Sequence, residues 1–181
     1  MSPPPALDAP TRLALAARSG DSAAQAAFVR ATQAEVWRFV AALVDVQTAD
    51  DLTQETFLRA FRALPHFEAR SSVRTWLLGI ARRTCADHLR SVVRRRRLEA
   101  RLATQSLTDS PHPDPSAQIS AAALLERLPT QRREAFVLTQ LLGLSYEQAA
   151  ATLEVPIGTI RSRVARARAD LVADVVTALA A

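Results

Sequence analysis

The side chains in this sequence best suited to specific chemistry are arginines set among small residues near its end. Arginine stands at positions 161, 163, 166 and 168, interleaved with Ser162 and Ala165 and preceded by Thr159. A guanidinium is a planar fork of donors that stays charged, and its partners are guanine edges, phosphates and carboxylates. Helical spacing puts Ile157, Ile160, Val164, Ala167 and Leu171 on one side. Gly158, Ser162 and Ala165 then fall on the opposite side, flanked by Arg161 and Arg166, while Arg163 and Arg168 lie nearer the apolar stripe. A strip of small residues between cations lets a helix lie close against a polyanionic groove.

Presenting that strip requires a helix start and a helix to pack behind it. Pro156 suits the start, because the first turn of a helix needs no N–H there. Upstream, Ser145 and Gln148 form the pattern of a capping box, and Ala149, Ala150 and Leu153 give the helix they open a small-residue face for close packing. Glu154 and Val155 are left as a tight turn between the two. A helix-turn-helix of this kind puts its second helix in the major groove. A plain helical hairpin with solvated arginines has the same local spacing, so the rest of the chain has to discriminate.

The composition narrows the classes. Abundant alanine and four glycines favour helices, and 181 residues at 49% hydrophobic fill one medium core or two small helical ones. The net charge is +5, and every basic residue is arginine. That fits a polyanionic partner, and GC-rich coding accounts for the missing lysine equally well. His66, His88 and His112 have no partner at catalytic or metal-ligand spacing and there is no glycine-rich phosphate loop, so no enzyme, metal or other cofactor is expected. Cys85 is the single cysteine and cannot form an internal disulfide, which suits a reducing compartment. The first residues lack a signal pattern, and no apolar run approaches the roughly 20 residues of a membrane span. A cytoplasmic protein without membrane insertion is expected.

Along the chain, residues 1–10 are proline-rich and expected to be disordered. A short helix is expected from Arg12 to Arg18, then one opening at Asp21 or Ser22 with Phe28, Thr32, Val36, Phe39, Val40 and Leu43 facing a core. A third helix, starting at Thr48, buries Phe57, Phe61 and Leu64 with Leu58 beside them, and exposes Asp51, Gln54, Glu55, Arg59 and Arg62. After a loop over 65–72, a long helix carries Trp76, Ile80, Thr84 and Leu89 and runs into Arg90 and the tract Arg94–Arg97. Trp76 belongs to its apolar stripe, so core packing is the expected role. Residues 99–116, with three prolines and little to bury, read as a flexible linker. Helices resume over 117–128 and over 131–142, the latter capped by Thr130. The fold class is therefore all-α: two small helical domains, 11–98 and 117–181, joined by a linker, the second ending in the helix-turn-helix.

Three stretches, Asp50–Leu64, Ser72–Arg90 and Leu128–Glu134 leading into the helix-turn-helix, resemble the extracytoplasmic-function (ECF) sigma factors of bacterial RNA polymerase. The resemblance implies a promoter-specificity subunit whose first domain binds core polymerase and melts and reads the minus-ten element, and whose second reads the minus-thirty-five element as duplex. Carried residue by residue, it implies polymerase contacts at Asp51, Gln54 and Glu55, to the beta-prime clamp helices, with the beta flap as a further partner surface. It implies minus-ten contacts at Ala63, Phe67, Ile80, Arg83, Thr84 and Arg90, and minus-thirty-five contacts at Thr159, Arg161, Ser162, Arg163 and Arg166. An anti-sigma factor is a partner the family allows. One departure stands out: the family often has glycine in the turn where this chain has Glu154. The rival reading, a stand-alone helix-turn-helix regulator, explains the last fifty residues but not the acidic helix around Asp51–Glu55.

Overall fold

A computed structural model of the chain describes residues 7–102 and 120–180. It contains α1 (Ala9–Ala17), α2 (Ser22–Ala41), α3 (Val46–Ala63), α4 (Val73–Leu102), α5 (Ala121–Arg127), α6 (Thr130–Phe136), α7 (Tyr146–Leu153) and α8 (Ile157–Leu179). A 3₁₀ turn follows α3 at Leu64–His66, and a π-helical segment, Val137–Leu141, extends α6. There is no strand among the described residues, and the all-α expectation holds.

Aspartates set the starts of the first three helices, and they move two of them earlier than expected. Asp8 accepts from the Thr11 amide at 2.7 Å, so α1 begins at Ala9, inside the stretch expected to be disordered. Asp45 accepts from both the amide and the hydroxyl of Thr48, at 2.8 and 2.7 Å, so α3 begins at Val46 and Thr48 is a donor to the cap. A carboxylate is the stronger acceptor for unpaired N-terminal amides, which is why the aspartate takes that place.

Around α1–α4 the core is aromatic and aliphatic. Phe28 meets Phe57 edge-on, with ring centroids 6.2 Å apart, and Val36, Phe39, Leu77 and Leu78 are fully buried. Leu58 departs from its expected place beside the core. Four residues after Gln54 it shares that residue's outward face, and it is 53% exposed. Phe61 is half-buried. The 30 residues of α4 make a rod about 45 Å long. Its first half is packed, and from Val93 to Ala100 every residue is exposed. The helix continues through residues 99–102, which were expected to open the linker; residues 103–119, which hold the rest of that linker and the expected start of the next helix, lie outside the described residues.

In the second module α5 begins at Ala121 behind a Ser120 cap, and α6 begins at Thr130 itself. Pro129 occupies the cap position, and its carbonyl accepts from Arg132 and Arg133. Leu138, Leu153, Ile160 and Val164 fill the centre. The two modules meet where α4 packs on α7, and their buried residues form one continuous core. Gly79 lies at this junction; a Cβ there would stand 3.8 Å from the Thr152 carbonyl, so a larger side chain would press on α7.

Candidate nucleic-acid interface

The helix-turn-helix forms from the bonds its sequence announces. Ser145 Oγ accepts from the Gln148 amide at 3.2 Å, and Gln148 Oε1 accepts from the Ser145 amide at 2.9 Å, closing both halves of the capping box. Glu154 ends α7 in the left-handed region, φ 55 and ψ 44, at a cost of about 1 kcal/mol relative to glycine. Pro156 takes the cap position of α8, one residue before the helix. On α8, Ile160, Val164 and Ala167 are buried, and Gly158, Arg161, Ser162, Ala165 and Arg166 are exposed together. The small-residue strip between cations is thus presented to solvent as a unit.

Thr159 and Arg163 are half-buried at the edge of that face. Arg163 donates to Gln131 Oε1 at 2.7 Å, and Arg168 to Gln140 Oε1 at 2.6 Å, so both are steered toward the module's own surface. Between α8 and the start of α6 is a cleft of about 550 Å³ rimmed by Thr130, Arg132, Ser162, Arg163 and Arg166. Arg132 is held by Asp170 at 2.6 Å. Arg161 and Arg166 have no side-chain partner among the described residues, and their guanidinium forks are open to a ligand.

The acidic face of α3 is also where the spacing placed it, with Asp51 and Gln54 exposed. Glu55 is half-buried and tied to Arg59 at 2.7 Å; Arg59 bridges on to Asp87 of α4 at 2.6 Å, and Arg90 also pairs with Asp87. These bonds hold the Asp87 carboxyl below its ordinary range, through Arg59 first and Arg90 second. Beside Gln54 runs an apolar groove of about 320 Å³ between α2 and α3, lined by Val29, Gln33, Thr53, Phe57, Leu58 and Phe61. The Thr53 hydroxyl is buried there without a partner. The α2 wall of this groove was missed in the sequence; the exposed Leu58, one turn from Gln54, was the signal for it.

The expected minus-ten residues separate into two groups. Phe67, Ile80 and Thr84 are buried, with the Thr84 hydroxyl turned to the Ile80 carbonyl at 3.1 Å, and Ala63 is half-buried. Phe67 packs against Trp76 with ring centroids 4.8 Å apart. The loop aromatic is therefore a wall, and the open space beside it is a pocket of about 250 Å³ shared with His66, Arg70, Ser71 and Trp76. Arg83 and Arg90 are exposed on α4.

Spacing gave no sign of what covers part of α4. Arg83 pairs with Glu154 in the turn of the helix-turn-helix, and Arg82 reaches Glu134 of α6 at 3.3 Å. Arg74 binds Glu35 and the Leu142 carbonyl, and Arg133 donates to the Leu43 carbonyl at 3.4 Å. Glu134 is almost fully buried, and desolvation raises its carboxyl above the ordinary value although Arg82 opposes the shift.

Two family models match this chain in the order of its modules, Sigma-70 region 2 over residues 28–97 and Sigma-70, region 4 over residues 119–171. It is 53% identical over 169 residues to the ECF RNA polymerase sigma factor SigC of Mycobacterium tuberculosis, covering 92% of this chain and 91% of that protein. This chain is an ECF sigma factor. The sigma factor is also 32% identical over 164 residues to the ECF RNA polymerase sigma-E factor of Salmonella typhimurium, covering 83% of this chain and 86% of that one. Among solved structures it is similar to CnrH in complex with the cytosolic domain of CnrY, with a TM-score of 0.71 and 30% identity over 94% of this chain and 99% of that one. It is also similar to the sigma factor RpoE of Bartonella quintana in complex with the anti-sigma factor NepR, with a TM-score of 0.60, 30% identity, and coverage of 79% and 91%. As an alternative sigma factor it binds core RNA polymerase and directs promoter recognition, minus-ten melting and transcription initiation; it is not an enzyme. No helix among the described residues is long and apolar enough to cross a membrane.

Proposed function

We propose that this sigma factor works in the cytoplasm, where it holds core polymerase through α3 and a promoter through α4 and α8. Asp51, Gln54 and Glu55, with the groove that Leu58 borders, take the beta-prime clamp helices. An apolar groove beside exposed polar and acidic groups suits a basic amphipathic helix. Thr159, Arg161, Ser162 and Arg166 face the minus-thirty-five duplex, with Arg163 at the edge. Arg83 and Arg90 take phosphates of the melted minus-ten strand. Phe67, with Trp76, lines the open pocket where an unstacked base regains contact; Ala63, Ile80 and Thr84 are minus-ten residues by the family positions they match and are not among its lining residues. The beta flap remains the proposed contact of the second module. The relative solved with NepR supports an anti-sigma protein as a further partner.

The observation that carries the reading is the exposed face of α8, where Arg161 and Arg166 flank Gly158, Ser162 and Ala165 without side-chain partners of their own among the described residues. The test is binding to a library of promoter duplexes with and without core polymerase. Sequence-specific protection that requires core supports a sigma factor gripping at two places. Equal protection by the free chain would remove the two-point grip proposed here.

A further inference from the structure

Glu154 stands where a glycine would be easier to place. Its backbone is left-handed, φ 55 and ψ 44, a conformation that costs any residue with a Cβ and costs glycine nothing. Of the three other left-handed positions among the described residues, Gly20 and Gly143 are glycine and Ala69, φ 53, carries a far smaller side chain. The turn itself is closed by backbone bonds, the amides of Glu154 and Val155 both donating to the Ala150 carbonyl, and needs no side chain. Among the described residues the Glu154 carboxylate bonds to nothing in its own module. Its partner is Arg83, on α4 of the other module.

That pair is not what holds the modules together. The two side chains are 60% and 61% exposed, and an exposed ion pair adds little to stability and weakens with salt. Holding is done by buried groups: the shared core at the α4–α7 contact and the bond from Arg82 to Glu134. A strained residue that adds little cohesion is better explained by which group it occupies. A guanidinium receives a carboxylate and a phosphate through the same forked donors, so it serves one of them at a time.

We propose that Glu154 is a tethered stand-in for a promoter phosphate, occupying Arg83 in the closed chain and competing directly with the melted strand for it. This rests on the reading of Arg83 as a strand contact. Glu154 thereby sets a threshold: nucleic acid must displace an intramolecular carboxylate before α4 is fully available, and the left-handed backbone at 154 is kept for that purpose.

The test uses the full chain carrying Ala26→Cys and Ala173→Cys, two exposed positions on α2 and α8, labelled as a fluorescence energy-transfer pair. Energy transfer is measured in the free protein, and affinity for a random-sequence 12-nucleotide single strand is measured at low salt. Glu154→Gly and Glu154→Gln are each expected to keep the parent's transfer efficiency, because the buried contacts hold the modules, and to strengthen strand binding about two- to five-fold, the range an exposed ion pair sets. Glu154→Gly should melt no lower than the parent, because its turn is relaxed. Adding Arg83→Ala should abolish the gain in binding. Unchanged strand affinity in Glu154→Gly, while Arg83→Ala in the parent weakens binding, would overturn the proposal, and so would a gain accompanied by lower transfer, which would trace it to separation of the modules. Strand affinity indifferent to Arg83→Ala in every background would remove Arg83 from the minus-ten reading on which the proposal rests, so the two failures are told apart.

Discussion

Arg82 of α4 and Glu134 of α6 meet at 3.3 Å across the junction of the two modules, the glutamate side chain 6% exposed and the arginine 28%. Burial outweighs the arginine's attraction, so the carboxyl protonates more readily in the folded chain than in water. A folded pKa above the unfolded one contributes stability that is fully present below the ordinary value of 4.5 and lost as pH rises through the higher folded value. We therefore expect the stability of the parent, measured against Glu134→Gln, to improve as pH falls from neutrality toward 4.5. Glutamine keeps an acceptor for Arg82 Nε while removing the charge. Denaturant melts of both proteins across that window check it; a parent that loses stability relative to Glu134→Gln on acidification contradicts the assignment.

On α8, Arg161→Ala should cost about 1 to 3 kcal/mol of discrimination on duplexes with an intact minus-thirty-five element, the worth of a bidentate base contact. Retention on immobilised core polymerase should be unaffected, because Arg161 lies on the exposed face of the other module from α3. Equal losses in both assays would place the residue in the fold and not at the DNA.

Leu58→Glu is the sharper probe of the polymerase surface. The side chain is already 53% exposed, so the folded domain should lose little stability, while a charge at the lip of the α2–α3 groove should weaken core binding at least ten-fold. Gln54→Ala with Glu55→Ala should act in the same direction, with circular dichroism unchanged. Holoenzyme assembly by gel filtration with labelled protein reads both.

Cys85 should be chemically silent. Its thiol is 1% exposed, and burial, with the nearby Glu134 charge adding to it, pushes its pKa up to about 12. The nucleophile in alkylation is the thiolate, so iodoacetamide at pH 8 should modify the native chain at the rate of its unfolding and the denatured chain within minutes. Rapid labelling of native protein would show that the α4 face bearing Cys85 opens without unfolding.

Much of the architecture was legible because helical rules are local. Ser145 with Gln148 specifies a capping box from two residues three apart, and the stripe from Ile157 to Leu171 specifies which side of α8 is buried. Asp51 and Gln54 were legible as exposed because the hydrophobic residues of α3 leave them no other side. Local reading failed where two acceptors competed for one set of amides, as Asp45 and Thr48 did, and where one position on a helix decided between core and groove, as at Leu58. Phe67 could not be oriented from spacing because a loop has no period: its position on Trp76 is decided by the path from the 3₁₀ turn into α4.

The amino-acid sequence by itself determined the helices, their buried faces, the two modules and the cationic strip of α8, since each depends on side chains within a few turns of one another. The tertiary structure alone decided that Arg83 meets Glu154, that Arg82 meets Glu134 and that the modules share one core. Those partners lie 71 and 52 residues apart along the chain. Contact at such separations is set by how whole helices pack, and no spacing rule reaches that far.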